Sequence, residues 1–253
     1  MDEEIKQSKI SNKTIAVIVA IAVLLLAFVI ITVLVLTDRT QTFDDRIYFR
    51  LMDWRNPALN RILRIASFMG NVIVLLIMAL LFELIPKTRH KDVGFKAVLA
   101  IILSRVVVDL ILKPIFQRER PLDYITRGSG TSFPSGHAIS ATVFFVTVII
   151  FLLLNVKDKR ILIPTVIACV LGPIIVSFCR VYLGAHWMTD VLVGMVLGIV
   201  IVLLVHFFVW PFIKFVMKKT VAKWTKLDII YRFAYGRENE VDKENNVIDV
   251  DKL

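Results

Sequence analysis

Apolar residues along this chain fall in blocks of bilayer length, separated by short polar and charged turns. A spanning helix needs about 20 mostly apolar residues. Six stretches qualify: Ile15–Leu36, Ile65–Leu84, Val93–Leu112, Ala138–Leu154, Ile161–Phe178 and Val191–Val209. The second is the least uniform, with Ser67, Asn71 and Glu83 inside it or at its edges. The first is too long for a signal-peptide core and lacks a small-residue cleavage site, which predicts a retained anchor. Phe43–Arg64 mixes Phe43, Ile47, Leu51 and Trp54 with arginines and aspartates, the pattern of an interfacial helix, broken near Asn56-Pro57. After Trp210-Pro211, five lysines (214, 218, 219, 223 and 226) interleave with Phe215, Val216 and Trp224. That pattern predicts a basic amphipathic helix on anionic lipid, or a solvated positive tail that sets topology. From Arg237 onward the polar, acidic composition predicts disorder. The expected organisation is an all-α polytopic membrane protein. It has a cytoplasmic N-terminus over 1–14, a six-helix bundle over 15–212, and a basic then acidic cytoplasmic tail over 213–253.

Composition sharpens this picture. Of 253 residues, 57% are hydrophobic and 21% charged, and the mean hydropathy is +0.75. These values exclude a soluble cytosolic enzyme, a disordered protein and a secreted disulfide scaffold. Cys169 and Cys179 are separated by ten residues of helix, about 15 Å, too far for a disulfide. The net charge of +10 sits at the ends of apolar spans, so it argues against a nucleic-acid partner. Six spans put both termini on one side. With the termini cytoplasmic and Lys96 counted with the loop before it, 19 basic residues lie inside and 11 outside. That bias predicts cytoplasmic termini in a bacterial plasma membrane.

Three polar clusters then share the outer face. They are Lys113 to Pro121 after span three, Phe133 to His137 before span four, and Arg180 to Asp190 between spans five and six. Pro134-Ser135-Gly136 marks a helix start, with Ser135 as cap and free backbone N–H groups beyond it, which is an anion site. Lys113, Arg120 and Arg180 add three positive charges, and the arginine fork matches phosphate oxygens. His186 and Asp190, four apart, are placed on one helical face, where the carboxylate accepts from one ring nitrogen and leaves the other to attack. His137 supplies the proton that a leaving alkoxide requires. These are the parts of a phosphoryl-transfer site with a histidine nucleophile. Basic side chains balance the developing charge, so neither metal nor cofactor is expected. A zinc site on His137 and His186 is the alternative, but the surrounding positive charge repels a cation. His90 and His206 carry no expected role.

Lys113-x6-Arg120-Pro121, Pro134-Ser135-Gly136-His137 and Arg180-x5-His186-x3-Asp190, in this order, resemble the type 2 phosphatidic acid phosphatase (PAP2) superfamily. That superfamily includes bacterial membrane lipid phosphatases and shares its site with the vanadium haloperoxidases. The resemblance runs from about Phe43 to Val209. It implies a helical bundle and a phosphohistidine mechanism, with His186 as nucleophile, Asp190 as its orienting partner and His137 as general acid. Lys113, Arg120, Ser135, Gly136 and Arg180 would hold the phosphate. Cys179 stands where many relatives carry serine, which implies a tuned site. The implied substrate is a lipid phosphate: undecaprenyl diphosphate, phosphatidylglycerol phosphate or phosphatidic acid. A diphosphate would call on further cations such as Arg118 or Arg127. A lipid phosphotransferase, a silent lipid-binding protein and a lipid transporter are the rival readings.

Two features of the spans remain. Arg105, Asp109 and Lys113 are spaced by four, so they share a helix face. Asp109 either positions Lys113 or forms a structural ion pair with Arg105. Gly194 and Gly198 permit close helix approach, expected within the bundle rather than in a dimer. The oligomeric state is not legible.

Overall fold

The computed structural model describes residues 12–84, 92–126, 128 and 130–221. The chain forms two compact units, Met1–Phe207 and Phe208–Leu253. Among the described residues every regular element is a helix. They are α1 (Asn12–Leu36), α2 (Gln41–Met52), α3 (Pro57–Phe68), α4 (Val72–Glu83), α5 (Asp92–Val106), α6 (Lys113–Phe116), α7 (Gly136–Asn155), α8 (Lys159–Tyr182), α9 (Met188–Leu204) and α10 (Trp210–Val221). Two π-helical stretches, Val107–Leu112 and Val205–Val209, follow α5 and α9. Each ends two residues before a proline, Pro114 or Pro211. Proline offers no N–H and its ring crowds the carbonyl four residues back, which a wider preceding turn relieves.

Four helical runs are long and apolar enough to cross a bilayer: Thr14–Leu36, Gly136–Asn155, Lys159–Tyr182 and Met188–Lys218. A fifth candidate is the pair α3 and α4, bent by 49°. The predicted second span, Ile65–Leu84, is therefore not one straight helix. Asn71 explains the bend: its side chain accepts from Ile73 N at 2.9 Å and starts a new helix. Asn56 does the same for α3, accepting from Leu59 N at 2.9 Å, with Pro57 in the first turn. This is the break expected near Asn56-Pro57. The predicted third span is helical throughout but interrupted by the π turn and charged at Lys96, Arg105 and Asp109.

The centre of the first unit is α7, which packs on α4, α5, α8 and α9. Its buried face (Ile139, Ala141, Val143, Phe144, Val148) meets Leu75 and Ala79 of α4, Ala97, Ala100 and Ile101 of α5, and Leu197 and Ile201 of α9. Small residues on these faces let backbones approach, since lipid gives no hydrophobic drive between helices. A Cβ on Gly198 would lie 2.8 Å from Thr142 Cβ, and one on Gly194 would lie 3.0 Å from the Ser135 carbonyl. The glycine pair thus serves packing of α9 on α7. Large apolar side chains instead face outward, as on α1 at Val19, Val23, Leu26 and Val29. This inverted arrangement suits a lipid solvent.

The second unit presents α10, with Lys214 and Lys218 on it. Lys223, Trp224, Lys226 and the acidic tail lie outside the described residues, as do His90 and Arg127. Cys169 and Cys179 are buried, free thiols.

Candidate active site

The link between α8 and α9 sets the central imidazole. Gly184 turns there with φ +72°, and a Cβ on it would stand 2.8 Å from the Asp123 carbonyl, so only glycine fits. His186 follows, 2% exposed. Its Nδ1 lies 2.8 Å from the Ser132 carbonyl oxygen. A carbonyl only accepts, so Nδ1 carries the proton and Nε2 presents a lone pair. Arg120 Nη1 lies 3.3 Å from that Nε2. Burial holds the His186 pKa down at about 4, with the hydrogen bond and charge of Asp190 opposing the shift. The imidazole is neutral at pH 7.

Asp190 occupies the first turn of α9, whereas His186 precedes that helix. The expectation that both share one helical face is corrected accordingly. Asp190 Oδ2 is 3.5 Å from His186 Nδ1, longer than the Ser132 contact. The same oxygen accepts from Trp187 N at 2.9 Å, and Oδ1 accepts from Arg118 at 2.6 Å.

Cations surround the imidazole. Arg120 donates to the carbonyls of Gly130 at 2.8 Å and Thr131 at 2.9 Å, and to that of Ala185. Burial lowers its pKa and the Asp190 charge opposes this. Arg180, only 6% exposed, donates to Ser67 Oγ at 3.3 Å. Lys113 pairs with Asp109 Oδ1 at 2.9 Å, while Asp109 Oδ2 pairs with Arg105. The Arg105 guanidinium fills the space that a Cβ on Gly136 would need, so Gly136 brings the start of α7 against a charge. Ser135 caps α7, its Oγ 3.5 Å from Ala138 N. The first N–H groups of that helix have no intrahelical partner and sit at the positive end of its dipole.

These groups enclose a cavity of about 460 Å³, lined by Lys113, Arg120, Gly136, His137, Arg180 and His186 among the expected residues. Ser135 and Asp190 are fully buried and do not line it. Cys179 is likewise buried away from it. The arrangement can hold a multiply charged anion against a neutral imidazole lone pair.

The PAP2 superfamily model matches residues 94–214, a stretch that contains all three polar clusters. Over that stretch the chain is similar to the PAP2 superfamily. Phosphatidylglycerophosphatase B of Bacillus subtilis is 29% identical over 191 residues, which cover 73% of this chain and 92% of that one. Undecaprenyl-diphosphatase of Sulfolobus acidocaldarius is 28% identical over 186 residues, or 70% of this chain and 84% of that one. The crystal structure of a transmembrane PAP2-type phosphatidylglycerolphosphate phosphatase from Bacillus subtilis superposes with a TM-score of 0.64. It is 26% identical and covers 76% of this chain and 96% of its own. Aquifex aeolicus LpxE, 23% identical with a TM-score of 0.50 over 63% of this chain and 92% of its own, shares the fold. With these apolar helices, the chain is a membrane protein.

Several contacts that shape this site were not expected from sequence. Asp44 of α2 is 1% exposed and accepts from Thr189 N at 2.9 Å and Thr189 Oγ at 2.6 Å. Arg118 spans the gap between two carboxylates, 2.7 Å from Asp44 and 2.6 Å from Asp190, and lies over the Trp187 ring. It is thus committed behind the site and does not line the cavity, which removes it as a second-phosphate cation. The available signal was Asp44 in register with the buried Tyr48 and Leu51, an acid on the apolar stripe of α2. Arg105 and Arg64, by contrast, do line the cavity.

Proposed function

We propose that this protein is an integral-membrane phosphatase that hydrolyses a lipid phosphate through a phosphohistidine intermediate on His186. The observation that carries this reading is the His186 Nε2 lone pair, fixed by the Ser132 carbonyl and facing a cavity lined with cations. The names of the relatives support the substrate class: a phosphatidylglycerophosphatase and an undecaprenyl-diphosphatase. The substrate would be undecaprenyl diphosphate, phosphatidylglycerol phosphate or phosphatidic acid.

Phosphate would sit among Lys113, Arg120, Arg180 and the Ser135–His137 helix start. The Nε2 lone pair forms an N–P bond as the bond from phosphorus to the leaving oxygen breaks. That oxygen keeps the electron pair and takes a proton from His137. A water oxygen then attacks phosphorus and gives its proton to His137. The N–P bond breaks, its electrons return to Nε2, and phosphate leaves. Fixed positive charge favours the transition state without reorganisation. Asp190 stabilises the imidazolium character that develops on His186.

Six spans complete the topology: the four apolar runs, the bent α3–α4 pair, and the helical stretch from α5 through α6. Both termini would then be cytoplasmic and the site extracytoplasmic in the plasma membrane, with the lipid entering sideways from the outer leaflet. The test is phosphate release from the three lipids in detergent, with EDTA, by wild type and His186→Ala. Release by wild type alone supports the reading. Release by both, or by neither, contradicts it.

A further inference from the structure

The cation count exceeds what one phosphate monoester requires. Among the described residues, five basic side chains line the cavity: Arg64, Arg105, Lys113, Arg120 and Arg180. Asp109 answers Arg105 and Lys113 together, and the charge of Asp190, shared with Arg118, acts on Arg120. A bound phosphate monoester carries about −1.5 to −2 at pH 7, which still leaves positive charge unanswered. Arg64 differs from the other four. It is exposed, and no hydrogen bond or ion pair holds its guanidinium among the described residues.

Its position is set by α3. Ser67, three residues on, accepts from Arg180 and so turns this helix face toward the site. Arg64, Ser67 and Phe68 lie at i, i+3 and i+4, one face of a helix, and all three line the cavity. The corner after α3 reaches the other histidine: a Cβ on Gly70 would lie 3.4 Å from His137 Cδ2. The wall formed by α3 is therefore on the side of His137, where the leaving oxygen emerges in the reaction proposed above. Of the two cations expected for a second phosphate, Arg118 is held by Asp44 and Asp190, and Arg127 lies outside the described residues.

The geometry points to Arg64 as a specificity-determining residue that binds the second phosphoryl group of a lipid diphosphate, the one that departs with the lipid. This rests on the phosphatase reading and refines its substrate class. Arginine matches two phosphate oxygens at once, and a diphosphate leaving as a lipid monophosphate develops charge at that group as the bond breaks. Arg64 lies outside the matched stretch 94–214.

The test compares farnesyl diphosphate with farnesyl monophosphate, which share one chain, using wild type, Arg64→Gln and Arg64→Lys in detergent. Arg64→Gln lowers kcat/KM for the diphosphate about tenfold, the size of one charge-assisted hydrogen bond, and leaves the monophosphate nearly unchanged. Arg64→Lys recovers part of the loss. Inorganic pyrophosphate loses potency as an inhibitor of Arg64→Gln, while inorganic phosphate does not. An equal loss on both substrates, or none on either, overturns the role of Arg64 and leaves the phosphatase reading standing. Release from neither substrate by wild type overturns that reading and this one with it.

Discussion

His186 Nδ1 lies 2.8 Å from the carbonyl oxygen of Ser132, closer than it lies to the carboxylate of Asp190 at 3.5 Å. The tautomer that frees Nε2 is thus fixed by backbone, which no side-chain substitution removes. Asp190 adds charge and holds the first turn of α9. Asp190→Asn therefore lowers kcat by about 10–100-fold, the range for loss of an outer partner, whereas His186→Ala abolishes turnover. Steady-state kinetics on one lipid phosphate distinguish the two, and equal losses would place the tautomer in the hands of Asp190 alone.

Asp109 answers Arg105 and Lys113 with one oxygen each. Without its charge Lys113 is free to leave the cavity wall. Asp109→Asn lowers kcat about 10–100-fold, the scale of a catalytic group misplaced by an ångström. Expression and the thermal midpoint change less. A purely structural pair would give the opposite: reduced folding yield and normal kcat in the surviving protein.

The buried Asp44 and the partly exposed Arg118 form an ion pair, and Asp44 fastens α2 to the base of α9. Removing Asp44 leaves Arg118 paired with Asp190 but strips the buried Thr189 N–H and hydroxyl of their acceptor, at about 1–3 kcal/mol for each unsatisfied group. Asp44→Ala lowers the thermal midpoint in detergent, and Asp44→Asn, which keeps an acceptor for Thr189, lowers it less. Unchanged midpoints would show the pair to be dispensable.

Protonation of His186 removes the attacking lone pair. Burial depresses its pKa to about 4, so its neutral form persists well below the ordinary imidazole value of 6.5. Activity limited by this group falls as pH drops through about 4 and is insensitive to it near neutrality. A pH profile of kcat/KM reads this limb, after correction for ionisation of the substrate. A limb assigned to His186 near 6.5 would contradict a buried, neutral nucleophile.

Much of the fold was legible because lipid writes length and apolarity directly into sequence. Boundaries for α7 and α8 differ from the predicted spans by only a few residues. The bend at Met69–Asn71 was less visible, since an asparagine within an apolar run reads as a blemish until its side chain caps a helix. For the site, i+4 spacing foretold the Arg105, Asp109 and Lys113 cluster, and it survives the π turn. The same logic misplaced His186, because the helix begins two residues after it. The Ser132 contact could not be foreseen, as a backbone carbonyl has no residue identity. Asp44 was read as interfacial because amphipathic patterns show which stripe is apolar but not what covers it.

The central claim is a covalent bond between phosphorus and His186 Nε2. Rapid quench of wild type with a lipid phosphate substrate, under alkaline conditions that preserve phosphoramidates, followed by peptide mass spectrometry, tests it most directly. The account predicts a phosphoryl group on the peptide carrying His186, formed faster than or as fast as turnover and absent from His186→Ala. Full turnover with no phosphorylated peptide at any quench time, or a phosphoryl group on another residue, would contradict it.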